Sequence, residues 1–528
     1  MDIDSKEILK FCLEKGILID KDVLSLFSEP ADSETAKLIL DKVGQQTKTK
    51  IITGALFKEN KEKINQILLT LPNENQKIIE KLKIQLGLSI QISKEISVQA
   101  EQEPEIIQKS SFLQEIEGVK IISSYPALVK KLEVGDFTKY FKRRFVEMRN
   151  ILQDRSELTN LVSIDKISGN RQGISIIGMV SSKRLTKNKN LLLEMEDLTG
   201  KILVIVNQNK PELFKKAEDA PLDGVLGIKC SSINKEMVFV NDIFFPETIL
   251  LERKKSPVEE YSLFTGDLHV GGKNFMEANF LKFIDYLNGK LPNTPEVQKI
   301  KYLFLVGDLI AGVGIYPEQE KDLVLSDVES QYGRVAELLD KIRKDIKIII
   351  SPGNHDALRI MEPQPLLDEK YAWPIYELKN VILTGNPSYV NIAKKENFSG
   401  FNVLTYHGYS FHYYANNINS LVKEKAIHKP ELLMAYLLKN RHLAPTHAST
   451  LYFPSETDPF LIRTAPDIFF SGHTHKSAVS YYNNILTISS SCWESKTAFQ
   501  EKMGNEPDFC KVPMLNLKTG AIKILDFE

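Results

Sequence analysis

The chain has 528 residues, 42% of them hydrophobic, with 68 Lys and Arg against 69 Asp and Glu for a net charge of -1. That length suggests two to four domains. The charge balance excludes a protein drawn to nucleic acid by its overall field, leaving that task to a local basic patch or a partner. The 4 cysteines (Cys12, Cys230, Cys492, Cys510) are widely spaced and form no CxxC pair, which argues against zinc ribbons and disulfide frameworks and fits a reducing cytosol. No apolar run approaches the roughly 20 residues needed to span a bilayer, and Asp2, Asp4 and Glu7 stand where an export signal wants positive charge. A cytoplasmic, non-membrane protein is expected.

Residues 1–87 read as a helical N-terminal domain. Asp4 and Glu7 have capping-box spacing, Ile8, Leu9, Cys12 and Leu13 share a helical face, and Gly16 can end that helix. Ala36 to Val43, Ile64 to Leu71 and Ile78 to Leu86 supply further apolar-periodic runs, with a basic tint from Lys42, Lys48 and Lys50 that reads as a solvated face. Residues 88–120 read as a flexible linker, because Gln, Ser, Glu and isolated Ile around Pro104 cannot bury a core.

Residues 121–256 read as a helix followed by a β-barrel of the OB-fold type. Helical spacing runs from Asp136 to Leu152, with Lys142, Arg143 and Arg144 as a basic stripe whose ordinary explanation is a solvated face. Five strands follow at Gly173 to Val180, Leu191 to Glu196, Ile202 to Val206, Gly224 to Cys230 and Glu236 to Phe244. The first four are poor in aromatics, so the pattern supports a barrel better than a base-stacking groove. Arg253, Lys254 and Lys255 mark a hinge into residues 257–528, where strands alternate with helical runs such as Asn279 to Leu287 and Tyr332 to Ile342, an α/β layered domain.

This last region carries five polar signatures, each directly behind an apolar, strand-like run: Asp267-Leu268-His269, Gly307-Asp308, Gly353-Asn354-His355-Asp356, His407-Gly408 and Gly472-His473-Thr474-His475. Metal-binding residue types thus recur at the carboxyl ends of strands, where α/β sheets place ligand sites. Phosphodiester hydrolysis at neutral pH calls for two divalent ions that acidify a water and clamp the phosphate. Asp267, His269 and His475 suit one ion, Asn354, His407 and His473 suit the other, and Asp308 suits a bridge. His473 and His475 would share a side on an extended strand but diverge in a tight turn. His355 is placed to bind the phosphate and protonate the leaving oxygen, with Asp356 orienting its ring. His412 is the rival to His407, which the following glycine favours. A mixed carboxylate, imidazole and amide set suits octahedral manganese first, with Mg²⁺, Fe and Zn²⁺ as alternatives.

These motifs resemble the calcineurin-like metallophosphoesterase superfamily from about Tyr261 onward. The whole order of segments, together with Glu362-Pro363-Gln364-Pro365 and Arg441-His442-Leu443-Ala444-Pro445, resembles the small subunits of archaeal family-D DNA polymerases. The resemblance implies a proofreading 3′–5′ exonuclease acting on single-stranded or frayed 3′ ends. It also implies a heterodimer with a large polymerase subunit, and leaves a sliding clamp open as a further partner. Related eukaryotic B subunits have lost metal ligands, whereas every matching position is intact here. The alternatives are an architectural subunit with a vestigial metal site and a generic phosphoesterase.

Overall fold

A computed structural model describes residues 3–20, 23–24, 33–47, 50–53, 115–116, 118–125, 131–169, 172–232 and 234–528. The chain divides into two compact units, residues 1–108 and 109–528. The runs Ile64 to Leu71 and Ile78 to Leu86, and most of the expected linker, lie outside the described residues.

In the first unit, helix Ile3–Lys15 buries Ile8 and Cys12, whereas Leu13 is 72% exposed instead of joining their face. Gly16 does end the helix: it takes φ +64°, its N–H donates to Leu13 O, and the Ile17 N–H donates back to Cys12 O. That pair of bonds satisfies carbonyls the helix leaves open. Helix Ser33–Thr47 buries Ala36, Ile39, Leu40 and Val43.

The second unit opens with a result that the composition did not suggest. The boundary drawn at residue 120 falls inside a strand, Val119–Ser123, which pairs antiparallel with Ser388–Ile392. Helix Val134–Gln153 follows, burying Tyr140, Arg144, Phe145, Met148 and Leu152 at helical spacing. Its basic stripe is therefore not uniformly solvated, because Arg144 lies in the core while Lys142 and Arg143 are exposed. All five expected strands form, as Ile174–Leu185, Leu191–Glu196, Lys201–Val206, Val225–Ser232 and Met237–Phe244. They close into a barrel through a parallel pairing of the third with the fifth. Ile176, Val180, Leu193, Met195, Val204 and Ile228 fill its interior.

The rest is a sandwich of two sheets flanked by helices. One sheet runs in the order Val381–Leu383, Lys347–Ser351, Ile300–Val306, Tyr261–Gly266, Lys511–Asn516, Ile522–Asp526, its first four strands parallel. The other runs Ala478–Tyr482, Ile485–Ser489, Ile468–Ser471, Phe401–Tyr406, Ser388–Ile392, Val119–Ser123, Glu115–Ile116. Alternation along Ile300–Val306 sends Leu303 and Leu305 toward helices Glu277–Leu287 and Val328–Asp340. Phe304 and Val306 meet Val390, Val403 and Phe470 of the facing sheet. Because both faces are covered, the strands read as unbroken apolar runs. Their carboxyl ends carry all five polar signatures.

Candidate metal centre

Each signature begins where its strand stops, and five of its members leave the strand through a left-handed turn: Asp267 (φ 50°), His269 (φ 53°), Asp308 (φ 48°), His473 (φ 69°) and His475 (φ 54°). A non-glycine residue pays about 1–2 kcal/mol for that conformation, and such strain concentrates at functional sites. Local bonds hold the turns. Asp267 N–H donates to Gly307 O and His269 N–H to Asp308 O, both at 3.0 Å, and His473 N–H donates to the Asp267 carboxylate at 3.1 Å.

Three glycines are required by contact. A Cβ on Gly307 would lie 2.2 Å from His407 Nδ1, one on Gly353 2.2 Å from Asp308 Oδ1, and one on Gly472 2.6 Å from Asp267 Oδ2. The site residues are packed into the space these glycines leave.

The donors gather into three overlapping groups: Asp267 with His269 and His475, His269 with Asp308 and His355, and Asp308 with His407 and His473. His473 and His475 diverge, as a tight turn allows. Asp308 is shared by two of these groups, its Oδ2 3.3 Å from His407 Nε2 and 3.9 Å from His269 Nε2. Asn354 Oδ1 is 3.0 Å from His407 Nε2. His412 stays outside all three groups, its ring 5.1 Å from that of His473 and turned edge-on to it.

His355 belongs to the middle group, its ring 4.7 Å from that of His269. Its Nδ1 donates to Ala311 O at 2.9 Å, which leaves Nε2 as the free ring nitrogen. Asp356 does not meet that ring. Its carboxylate is buried and accepts from Gly353 N–H at 2.8 Å and from the Tyr332 hydroxyl at 3.3 Å. The Ala311 carbonyl takes the orienting role expected of Asp356, because the turn aims Asp356 inward to close its own loop.

Burial dominates the electrostatics. It holds the imidazoles of His269 and His473 well below their usual range, and that of His475 down at about 4. Burial likewise pushes Asp267 up to about 8. Asp308 differs: burial opposes its ionisation, but the surrounding imidazoles, His407 foremost, hold it well below the carboxylate range. For His407, burial works against the charged ring and is overridden by Asp308, which lifts it to about 9.

This donor set fits divalent cations. His269 and His475 present their Nε2 atoms to each other at 3.2 Å, and neither Asp267 nor Asp308 has a Lys or Arg partner among the described residues. Imidazoles and buried carboxylates converging without a Lys or Arg among them make a shell of oxygen and nitrogen donors. A cavity of about 810 Å³ opens over it.

The calcineurin-like phosphoesterase family model matches residues 262–477. The chain is 36% identical over 401 residues to the DNA polymerase II small subunit of Methanothermobacter thermautotrophicus, covering 75% of this chain and 80% of that protein. The chain belongs to the DNA polymerase II small-subunit family. Other members are those of Pyrococcus furiosus (35% identity over 404 residues, 75% of this chain and 64% of that protein) and Methanocaldococcus jannaschii (35% over 391 residues, 73% and 64%). The phosphoesterase fold implies divalent metals, and the family resemblance drawn from the motifs is borne out.

Two contributors to the site lie beyond the last motif and have no mark in the sequence. Gln500 meets His475 Nδ1 at 2.9 Å through its side-chain amide. Glu494 lines the cavity, where burial, then Asp308, push its carboxyl up to about 7. Neither follows an apolar run into a Gly-polar turn, so no local signal marks them.

Proposed function

We propose that this chain is the metal-dependent 3′–5′ exonuclease subunit of a replicative DNA polymerase and hydrolyses phosphodiesters at single-stranded or frayed 3′ ends. The observation that carries this reading is that Asp308 belongs to two of the three donor groups, an arrangement that would suit a pair of ions. Asp267, His269 and His475 would hold one ion, and Asn354, His407 and His473 the other. When bound, the two ions, manganese first among the candidates, neutralise charge on the phosphate and acidify a water. His355 presents Nε2 to the ester, binding the phosphate and delivering a proton to the departing oxygen, while Ala311 O fixes its tautomer. Asp267 and Asp308 are kept in place by backbone donors, so the donor geometry precedes any substrate.

In this reading the helical N-terminal domain and an OB-type barrel precede the hydrolase in the chain and support a heterodimer with the large polymerase subunit. That the relatives are small subunits of DNA polymerase II supports that partnership. The test is purified chain with Mn²⁺ on a 3′-labelled single strand, beside Asp308→Ala and His355→Ala. Asp308→Ala should lose bound metal and activity. His355→Ala should keep its metal and lose most turnover. Equal metal content in the two variants refutes the assignment of roles, and unchanged degradation in both leaves only a scaffold.

A further inference from the structure

The barrel carries a concentration of positive charge at one end. The first two barrel strands, Ile174–Leu185 and Leu191–Glu196, meet in a hairpin whose tip reads Arg184-Leu185-Thr186-Lys187-Asn188-Lys189-Asn190. The third strand, Lys201–Val206, ends beside it in the loop Asn207-Gln208-Asn209-Lys210, which leads into the short helix Pro211–Glu218. The two loops are tied together, because Leu191 pairs with Val206 and the Gln208 N–H donates to Asn190 Oδ1 at 3.1 Å. These 11 residues hold four cations and no carboxylate, in a chain whose net charge is -1. Arg184, Lys187, Lys189 and Lys210 are all exposed, and none forms an ion pair among the described residues. Elsewhere on the barrel, by contrast, Lys201 pairs with Glu196 and Lys216 with Asp242.

We propose that this end of the barrel, formed by Arg184, Lys187, Lys189 and Lys210, is a docking surface for the sugar-phosphate backbone of DNA. Unpaired cations interleaved with Asn and Gln amides are the groups that make most phosphate contacts. The absence of aromatic rings from the two loops removes base stacking, so binding here is electrostatic and indifferent to sequence. Protein-docking surfaces centre on buried apolar anchors, and Leu185 is the single large apolar side chain offered in the two loops. The inference rests on the proposed exonuclease reading only in naming DNA as the polyanion. It supplies the local basic patch that the neutral overall charge demands.

The experiment compares the full chain with the fourfold variant Arg184→Gln, Lys187→Gln, Lys189→Gln, Lys210→Gln. Binding to a labelled mixed-sequence single strand is followed by anisotropy between 50 and 200 mM salt. Each neutralised phosphate on a single strand contributes about 0.7 to the slope of log K against log salt, so four contacts give about 2.8, or about 50-fold over that range. The native chain should therefore lose about 50-fold more affinity than the variant across the same interval, and the threefold variant Lys187→Arg, Lys189→Arg, Lys210→Arg should keep the native slope. An identical slope in the native chain and the Gln variant overturns the proposal. So does a Gln variant that keeps its DNA slope but no longer copurifies with the large subunit, which would make the patch a protein contact. Turnover of bis-p-nitrophenyl phosphate with Mn²⁺ is read in parallel. It should be equal in both proteins, and its absence in both would count against the hydrolase reading while the salt slope still decides the patch.

Discussion

Gly353→Ala tests the packing of the centre without touching a donor. A Cβ at this position falls 2.2 Å from Asp308 Oδ1 and 2.5 Å from Asp308 N. Gly353 is absent from the left-handed region, so alanine is conformationally allowed there and the effect is one of contact alone. Non-bonded carbon contacts relax to about 3.5 Å, so the Asp308 carboxylate or the loop must retreat by about 1 Å. The same oxygen accepts the His355 N–H at 2.8 Å, so the retreat carries His355 with it. A misplacement of about 1 Å costs on the order of 100-fold in rate, and overpacking costs about 1–3 kcal/mol of stability. The assay is metal content by mass spectrometry after Mn²⁺ loading, beside release of label from a 3′ end. Gly333→Ala is the control. Nothing lies within 4 Å of its Cβ, and it sits inside helix Val328–Asp340. It should leave the rate unchanged and raise stability by about 0.5–1 kcal/mol. Native metal content and a rate within about twofold for Gly353→Ala would refute the reasoning that Asp308 must lie where it does.

Three further outcomes follow from buried polar groups. Arg144→Met removes the guanidinium that donates to Asp458 at 2.6 Å in a buried pair, so urea denaturation should show a loss of about 3–5 kcal/mol; a second change, Asp458→Asn, should return part of it. His442 accepts Ala444 N–H at Nδ1 and donates from Nε2 to Asp458, so it is neutral, and burial, then Arg144, hold it down at about 4. Its folded value lies below its unfolded value of about 6.5, so its contribution is complete above pH about 6.5 and is lost as pH falls toward 4, amounting to about 3 kcal/mol. His442→Gln should flatten the stability profile by that amount in that window, and an unchanged profile would contradict it. Gln500→Ala frees His475 Nδ1, and metal affinity measured by titration calorimetry should fall about 10–100-fold with the fold intact.

Much of the fold was legible because buried strands announce themselves locally. Ile300–Val306 and Lys347–Ser351 are near-continuous apolar runs ending in Gly or Pro-Gly, and the five barrel strands stand between polar turns. The site was legible for the same reason, since each candidate ligand follows such a run within a few residues. The helical face of residues 8–13 was less so, because a 3.6-residue period cannot say how wide the buried stripe is, and Leu13 falls outside it. Arg144 was misjudged for a physical reason: its partner, Asp458, lies 314 residues away, and a charge run looks solvated until its counter-charge is found.

The sequence by itself determined which side chains stand at strand ends, since hydrophobic periodicity and turn residues act over a few neighbours. It also determined that the chain offers enough neutral imidazole and carboxylate to hold cations. Only the tertiary structure decided how those donors divide, because the left-handed turn through His473 and His475 separates two residues that an extended strand would keep together. It also decided that Ala311 O rather than Asp356 orients His355, and that Val119–Ser123 leaves the expected linker and barrel domain to pair with Ser388–Ile392, far along the chain. Contacts of that kind depend on chain crossings over long separations, which no local pattern of residues encodes.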